Sequence, residues 1–118
     1  MQREDDTDPL ITSPEVHEAL TLDRVVHEPA RLAILAVLSG ADEVDFAFLL
    51  VATGLSKGNL SKQASKLEEA GYITVRKHFK GKIPATAYRI TTVGRSAFAA
   101  YWQRITALGQ SVLPELPA

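Results

Sequence analysis

Thr53-Gly54-Leu55-Ser56-Lys57-Gly58-Asn59-Leu60-Ser61-Lys62-Gln63-Ala64-Ser65-Lys66-Leu67-Glu68-Glu69-Ala70-Gly71 is the stretch whose reading decides the fold. Ser56 is a good helix N-cap, because its hydroxyl can accept from an orphan amide of the first turn. Leu60, Ala64 and Leu67 fall at i, i+4 and i+7, a helical inward stripe. Lys57, Ser61, Lys62, Ser65 and Lys66 occupy the opposite face. Gly71 stops this helix, which ends at Glu69 or Ala70. Before it, Gly54 supplies a left-handed stop to a shorter helix, which Asp45 caps and in which Phe46, Leu49 and Leu50 face inward. Two helices joined by the three-residue turn Gly54-Leu55-Ser56, the second with a cationic outer face, form a helix-turn-helix arrangement.

Downstream of Gly71 the period changes from helical to alternating. Ile73 and Val75 point one way and Thr74 and Arg76 the other, which predicts a strand over Tyr72–His78. Phe79–Pro84 reads as a loop and Ala85–Thr91 as a returning strand with Tyr88 and Ile90 inward. Thr92 caps a last long helix to about Leu113, with Val93, Ala97, Tyr101, Ile105, Leu108 and Val112 on one side. Upstream, Ser13-Pro14-Glu15 starts a helix predicted to run to about Val26, placing Val16, Ala19, Leu20 and Val26 on one stripe. His27-Glu28-Pro29 breaks it. Ala30–Leu38 is apolar all round except for Arg31, as a helix in the middle of a bundle is. Residues 1–12 are acidic and aperiodic, a flexible arm; residues 13–113 form one domain and 114–118 a tail. The expected fold class is mainly α with a small β-hairpin, an α+β arrangement.

The length of 118 residues suits one domain, and 46% hydrophobic against 23% charged residues leaves enough apolar mass for a core. No apolar run approaches the roughly 18 residues of a membrane span, and the acidic N-terminus is unlike a signal peptide. The expected compartment is the cytoplasm. The absence of cysteine removes disulfides, thiolate metal sites and thiol nucleophiles. Net charge is −1, but it is unevenly spread. Residues 1–53 hold three basic and eleven acidic side chains, a net of −8, whereas residues 54–105 hold ten basic ones against Glu68 and Glu69, a net of +8. Such segregation suits a molecule with a cationic side for an anionic partner and an acidic side facing away from it.

Duplex DNA fits that side. A helix fills the major groove with the amides of its first turn near phosphates. Ser56, Gly58 and Ser61 are short enough to let the backbone approach. Asn59 and Gln63 are candidates to pair with adenine edges, although Asn59 can also serve the helix N-terminus, and Gln63, beside the core-facing Ala64, can also be structural. Lys57, Lys62 and Lys66 would supply sequence-independent attraction, with Ser65 on the same face. Lys80 and Lys82, around Gly81, would reach a flanking phosphate or the minor groove. Arg76, Lys77 and Arg95 are open between cross-strand or cap partners and DNA ligands; Arg89 reads as structural.

At this point the sequence resembles the winged-helix transcriptional regulators of the MarR/ArsR-like superfamily. The resemblance is carried by Pro29–Leu35, Thr53–Lys62, Leu67–Ile73, a basic turn, Tyr88–Thr91 and Gly94-Arg95, covering roughly residues 22–108. It is strongest to the small branch with the pattern GLSxGNLSxHLxxLEEAGY. Gln63 stands where a histidine is usual and Ala64 where a leucine is usual. The resemblance implies a homodimeric DNA-binding regulator with its terminal helices at the dimer interface, the hairpin serving as the wing.

The flanking helices carry more apolar side chains than one small core needs, namely Val16, Leu20, Leu22 and Val26 at one end and Tyr101, Trp102, Ile105, Leu108 and Val112 at the other. A partner surface is therefore expected for them. Any small-molecule effector would bind at the dimer interface or the wing. No cofactor is expected, and no metal: His17, His27 and His78 are far apart in sequence and lack ligand spacing. No nucleophile elbow, phosphate loop or zinc-protease motif points to catalysis. The rival reading is a winged-helix module for protein–protein contacts without sequence-specific DNA binding.

Overall fold

The computed structural model describes residues 14–113; the acidic arm, the Ser13 cap and the tail expected from the sequence lie outside the described residues. The chain runs α1 (Pro14–Glu18), a 3-10 turn (Ala19–Thr21), α2 (Pro29–Ser39), β1 (Val44–Asp45), α3 (Phe46–Thr53), α4 (Lys57–Glu69), β2 (Ile73–Lys80), β3 (Ile83–Ile90) and α5 (Thr92–Val112). The strands form one antiparallel sheet of order β1-β3-β2.

The helix predicted over Ser13–Val26 is corrected: it ends at Glu18 and gives way to the 3-10 turn, after which Leu22 is extended. The cause is Asp23. Its Oδ1 accepts from the amides of Val25 and Val26 at 2.8 and 3.1 Å, an arrangement in which an Asp side chain competes with helix bonding. The turn delivers Val26, fully buried, into the core. There it joins Ile34, Leu35 and Leu38 of α2, Leu49 of α3, Leu60, Ala64 and Leu67 of α4, Ile73, Tyr88 and Ile90 of the sheet, and Tyr101 of α5.

The helix ends follow the sequence closely. Glu28 caps α2 by accepting from the Arg31 amide, Asp45 caps α3 through the Phe48 amide, and Ser56 caps α4 through the Asn59 amide. Gly54 closes α3 at φ 73°, a left-handed conformation that costs glycine little. The cap of α5 is Thr91, one residue before the expected Thr92; its hydroxyl accepts from the Gly94 amide and donates to the Gly71 carbonyl.

The hairpin differs from the sequence reading. Phe79–Pro84 is not a loop: strand pairing continues to Phe79↔Pro84 and Lys80↔Ile83, leaving Gly81-Lys82 as a two-residue turn. Glycine with positive φ at the first central position matches the twist of paired strands. Pro84 is tolerated because β1 pairs with β3 only at Ala87 and Tyr88, so β3 is an edge strand there. β1 itself, two residues long, has no periodicity that announces it.

Candidate nucleic-acid interface

α4 packs on α2 and β2 through Leu60, Ala64 and Leu67. That leaves Lys57, Gly58, Asn59, Ser61, Lys62, Ser65 and Lys66 exposed, with the Ser56 cap exposed at the entrance. Among the described residues, no ion pair engages Lys57, Lys62 or Lys66. The only acids of α4, Glu68 and Glu69, lie in its last turn. A Cβ added to Gly58 would meet no atom within 4 Å, so the glycine serves no packing need of the folded chain. A shallow cleft lined by Ser61, Ser65, Glu68, Lys77 and Tyr88 separates the outer face of α4 from β2. Burial, with the Glu68 charge adding to it, pushes the Tyr88 hydroxyl up from its ordinary pKa.

Gln63 requires a correction. It is 8% exposed and turned inward, its Oε1 accepting from Arg31 Nη1 at 2.7 Å and its Nε2 donating to Asn59 Oδ1 at 3.1 Å. Both ends of its amide are engaged within the protein, so it does not reach a groove to read a base. The cause is Arg31, the one charged residue of α2. Its Nε donates to the Val25 carbonyl at 2.6 Å and its Nη2 to the Arg24 carbonyl at 3.2 Å.

The hairpin carries the second group of cations, and its base carries acids that the sequence reading had set away from DNA. β1 places Glu43 and Asp45 beside it. Arg76 meets Glu43 at 2.9 Å and Arg89 Nη2 lies 3.9 Å from the same carboxylate, while Lys80 Nζ donates to Asp45 Oδ2 at 2.8 Å. The Arg76 hydrogen bond holds the Glu43 carboxyl below its ordinary range, and the bonds from Lys80 and the Phe48 amide do the same for Asp45. Lys80, offered as a DNA contact, is thus already engaged on the surface. Lys82 and Lys77 are exposed, and no ion pair engages them among the described residues. Arg95 donates to the Ser39 carbonyl at 3.1 Å, capping the end of α2.

This geometry, a capped cationic helix after a three-residue turn and flanked by a tight basic hairpin, corresponds to the family model described as winged helix DNA-binding domain, which matches residues 30–108. The chain belongs to that family. Over 90 residues, 75% of this chain and 97% of the relative, it is 33% identical to an uncharacterized protein of Methanocaldococcus jannaschii. Its structure is similar to that of the transcriptional regulator homologue protein from Pyrococcus horikoshii OT3, with a TM-score of 0.76 and 22% identity, covering 84% of this chain and 97% of that one. A transcriptional regulator of the MarR family from Silicibacter pomeroyi gives a TM-score of 0.58 at 16% identity, covering 98% and 84%. These two likenesses are of fold. Within a winged helix, α3 and α4 are the helix-turn-helix, with α4 in the place of the recognition helix, and β2–β3 is the wing.

The terminal elements of this winged helix pack against each other, α1 and the 3-10 turn lying on α5. Tyr101 is corrected from surface to core. It is 5% exposed and its hydroxyl lies 2.8 Å from His27 Nδ1, because the turn after α1 folds His27 over it. Val16, Ile105 and Leu108 are half-buried. Leu20, Trp102 and Val112 are exposed, Leu20 to 82%. No helix among the described residues is long and apolar enough to cross a membrane. No cluster of three or more histidines and carboxylates suited to a metal occurs among them; Asp23 accepts from the Tyr72 hydroxyl.

Proposed function

We propose that this winged-helix protein is a transcriptional regulator that binds a near-palindromic duplex site as a homodimer. The observation that carries the reading is the exposed, acid-free outer face of the first turns of α4. The Ser56 cap, Gly58 and Ser61 leave room for the backbone to approach phosphates. Lys57, Lys62 and Lys66, with Ser65, supply backbone attraction, and Asn59 is the side chain placed to meet a base edge. Lys82 at the wing tip would hold the flanking backbone or minor groove, and Lys80 would join it by exchanging Asp45 for a phosphate.

The exposed Leu20, Trp102 and Val112, with the half-buried Val16, Ile105 and Leu108, support a dimer through the terminal helices. Two-fold symmetry would then set two copies of α4 about 34 Å apart, one turn of duplex. The family and the MarR-type fold support a regulator over the rival protein-interaction module.

Fluorescence anisotropy of the full chain against duplex from upstream of its own gene, titrated across salt with random duplex as competitor, tests this. The expected result is competitor-resistant binding with two protomers per site. Lys62→Ala and Lys66→Ala should weaken binding to all sequences and flatten the salt slope by about one unit per lost phosphate contact. Unchanged binding in both variants, or no sequence preference in an unbiased selection, would overturn the reading.

A further inference from the structure

The recognition helix presents Asn59, whose side-chain amide has two faces of opposite hydrogen-bonding sense. Turned one way it offers a donor to the groove; turned the other way, an acceptor. What sets the choice is legible in the residues behind it. Arg31 is donor-only, a guanidinium with no acceptor, and its position is fixed by the carbonyls of Arg24 and Val25. The Gln63 atom that faces it at 2.7 Å must therefore be the carbonyl oxygen. That leaves the Gln63 NH₂ group at the other end as a donor, and the Asn59 atom it meets at 3.1 Å must be Oδ1. Asn59 Nδ2 is then the free end on the exposed face of α4.

We infer that Arg31 and Gln63 are positioning residues that set the base preference of the site by locking Asn59 with its NH₂ group toward DNA. The inference rests on the reading of α4 as the base-reading helix and specifies what it reads. A donor in the major groove pairs with N7 or O6 of guanine, O4 of thymine or N7 of adenine, whereas cytosine presents only its N4 amino donor. The position opposite Asn59 therefore disfavours cytosine. The relay is also buried: Gln63 is shielded from water, which keeps its two bonds from being exchanged for solvent and makes the polarity of Arg31 felt one helical turn away, at Asn59.

Gln63→Glu tests the polarity directly, because glutamate has nearly the same shape but two acceptor oxygens. One would take Arg31 and the other would demand a donor from Asn59, whose amide would turn over and leave Oδ1 outward. An acceptor there pairs with N4 of cytosine or N6 of adenine and has no partner on guanine or thymine. The experiment is selection from a randomised duplex library by the full-length wild type and by the Gln63→Glu and Gln63→Met variants, each checked for folding by circular dichroism. Wild type should disfavour cytosine at one position of each half-site by about three- to tenfold, the scale of one net hydrogen bond.

Gln63→Glu should move cytosine above guanine and thymine at that position alone, on top of a uniform loss from its added charge. Gln63→Met, which can neither accept nor donate in that way, should make the position nearly indifferent, and it carries the test if Gln63→Glu fails to fold. A motif in wild type that survives unchanged in the folded variants, with only a uniform loss of affinity, would overturn the relay and leave the DNA reading standing. Wild type that enriches no motif would overturn both.

Discussion

Gly94 is where a single methyl group should do most damage. An ideal Cβ built there would stand 2.1 Å from the Tyr72 carbonyl oxygen, 2.9 Å from the Tyr72 carbonyl carbon and 3.0 Å from Ile90 Cγ1. Two of those neighbours are backbone, so no rotamer change relieves the clash, and α5 must separate from the Gly71-Tyr72 turn by about 1 Å, given that ordinary van der Waals contact needs more than about 3 Å. The same carbonyl accepts from the Thr91 amide at 2.9 Å. A shift of that size takes the bond outside hydrogen-bonding range, and it also strains the bond of 2.7 Å from the Thr91 hydroxyl to the Gly71 carbonyl.

Overpacking costs about 1–3 kcal/mol and each lost hydrogen bond about 1 kcal/mol, offset by at most about 1 kcal/mol from the better helix propensity of alanine. Gly94→Ala should therefore destabilise by about 2–3 kcal/mol, a fall in Tm of about 10–20 °C for a domain of this size. Urea titration at fixed protomer concentration should show a lower midpoint with unchanged slope. Gly58→Ala is the matched control. Its new methyl meets nothing within 4 Å, so it should stabilise by up to about 1 kcal/mol. Equal stability of Gly94→Ala and wild type would refute the argument, since it would mean that the start of α5 moves off the turn without loss.

Asp45→Asn keeps a good cap for α3 but releases Lys80, so it should tighten binding to random duplex by about two- to fivefold at low salt and steepen the salt dependence. Unchanged anisotropy would show that Lys80 stays off the phosphates. Tyr72 donates to Asp23, and that bond, with burial, pushes its pKa up to about 12 from 10.0. The folded value being the higher one, the stabilisation is complete below pH 10 and is lost as pH rises from 10 toward 12. Tyr72→Phe should cost about 1–2 kcal/mol at neutral pH, and its gap from wild type in urea titrations should close across that alkaline window. Leu20→Lys and Trp102→Lys should leave the circular dichroism spectrum intact and shift sedimentation from dimer to monomer; a monomeric wild type would remove the proposed interface.

Most of the frame was legible because it is written in local chemistry. Caps and stops such as Asp45, Gly54, Ser56 and Gly71 act on their immediate neighbours, and Leu60, Ala64 and Leu67 repeat at the period of the helix that buries them. What escaped depends on partners distant in sequence. Gln63 stands open between base reading and a structural role until Arg31, 32 positions away, engages its amide inward. Tyr101 looks like part of an exposed stripe until His27, 74 positions away, folds over it. The early end of α1 had a nearer signal, since Asp23, two residues before the β-branched pair Val25-Val26, is as good a turn former as a helix former. The hairpin is longer than the sequence suggests because Gly81 suits a two-residue turn and Pro84 sits where β3 has no partner on one side.

The charge pattern shows why linear reading of electrostatics fails by one step. Along the chain, acids and bases separate almost completely at residue 53. In space, two residues of β1 pair with Tyr88 and Ala87 and bring Glu43 and Asp45 from the acidic half to the base of the cationic wing. There they engage Arg76, Arg89 and Lys80, so the wing's own positive field is largely returned to the protein. The field left for an anionic partner belongs to Lys57, Lys62 and Lys66 of α4, with Lys77 and Lys82 beside it. Affinity for phosphate should then be concentrated on the recognition helix rather than shared evenly with the wing. That distribution favours a protein whose orientation on the duplex is fixed by the same helix on which Asn59 is proposed to meet the bases.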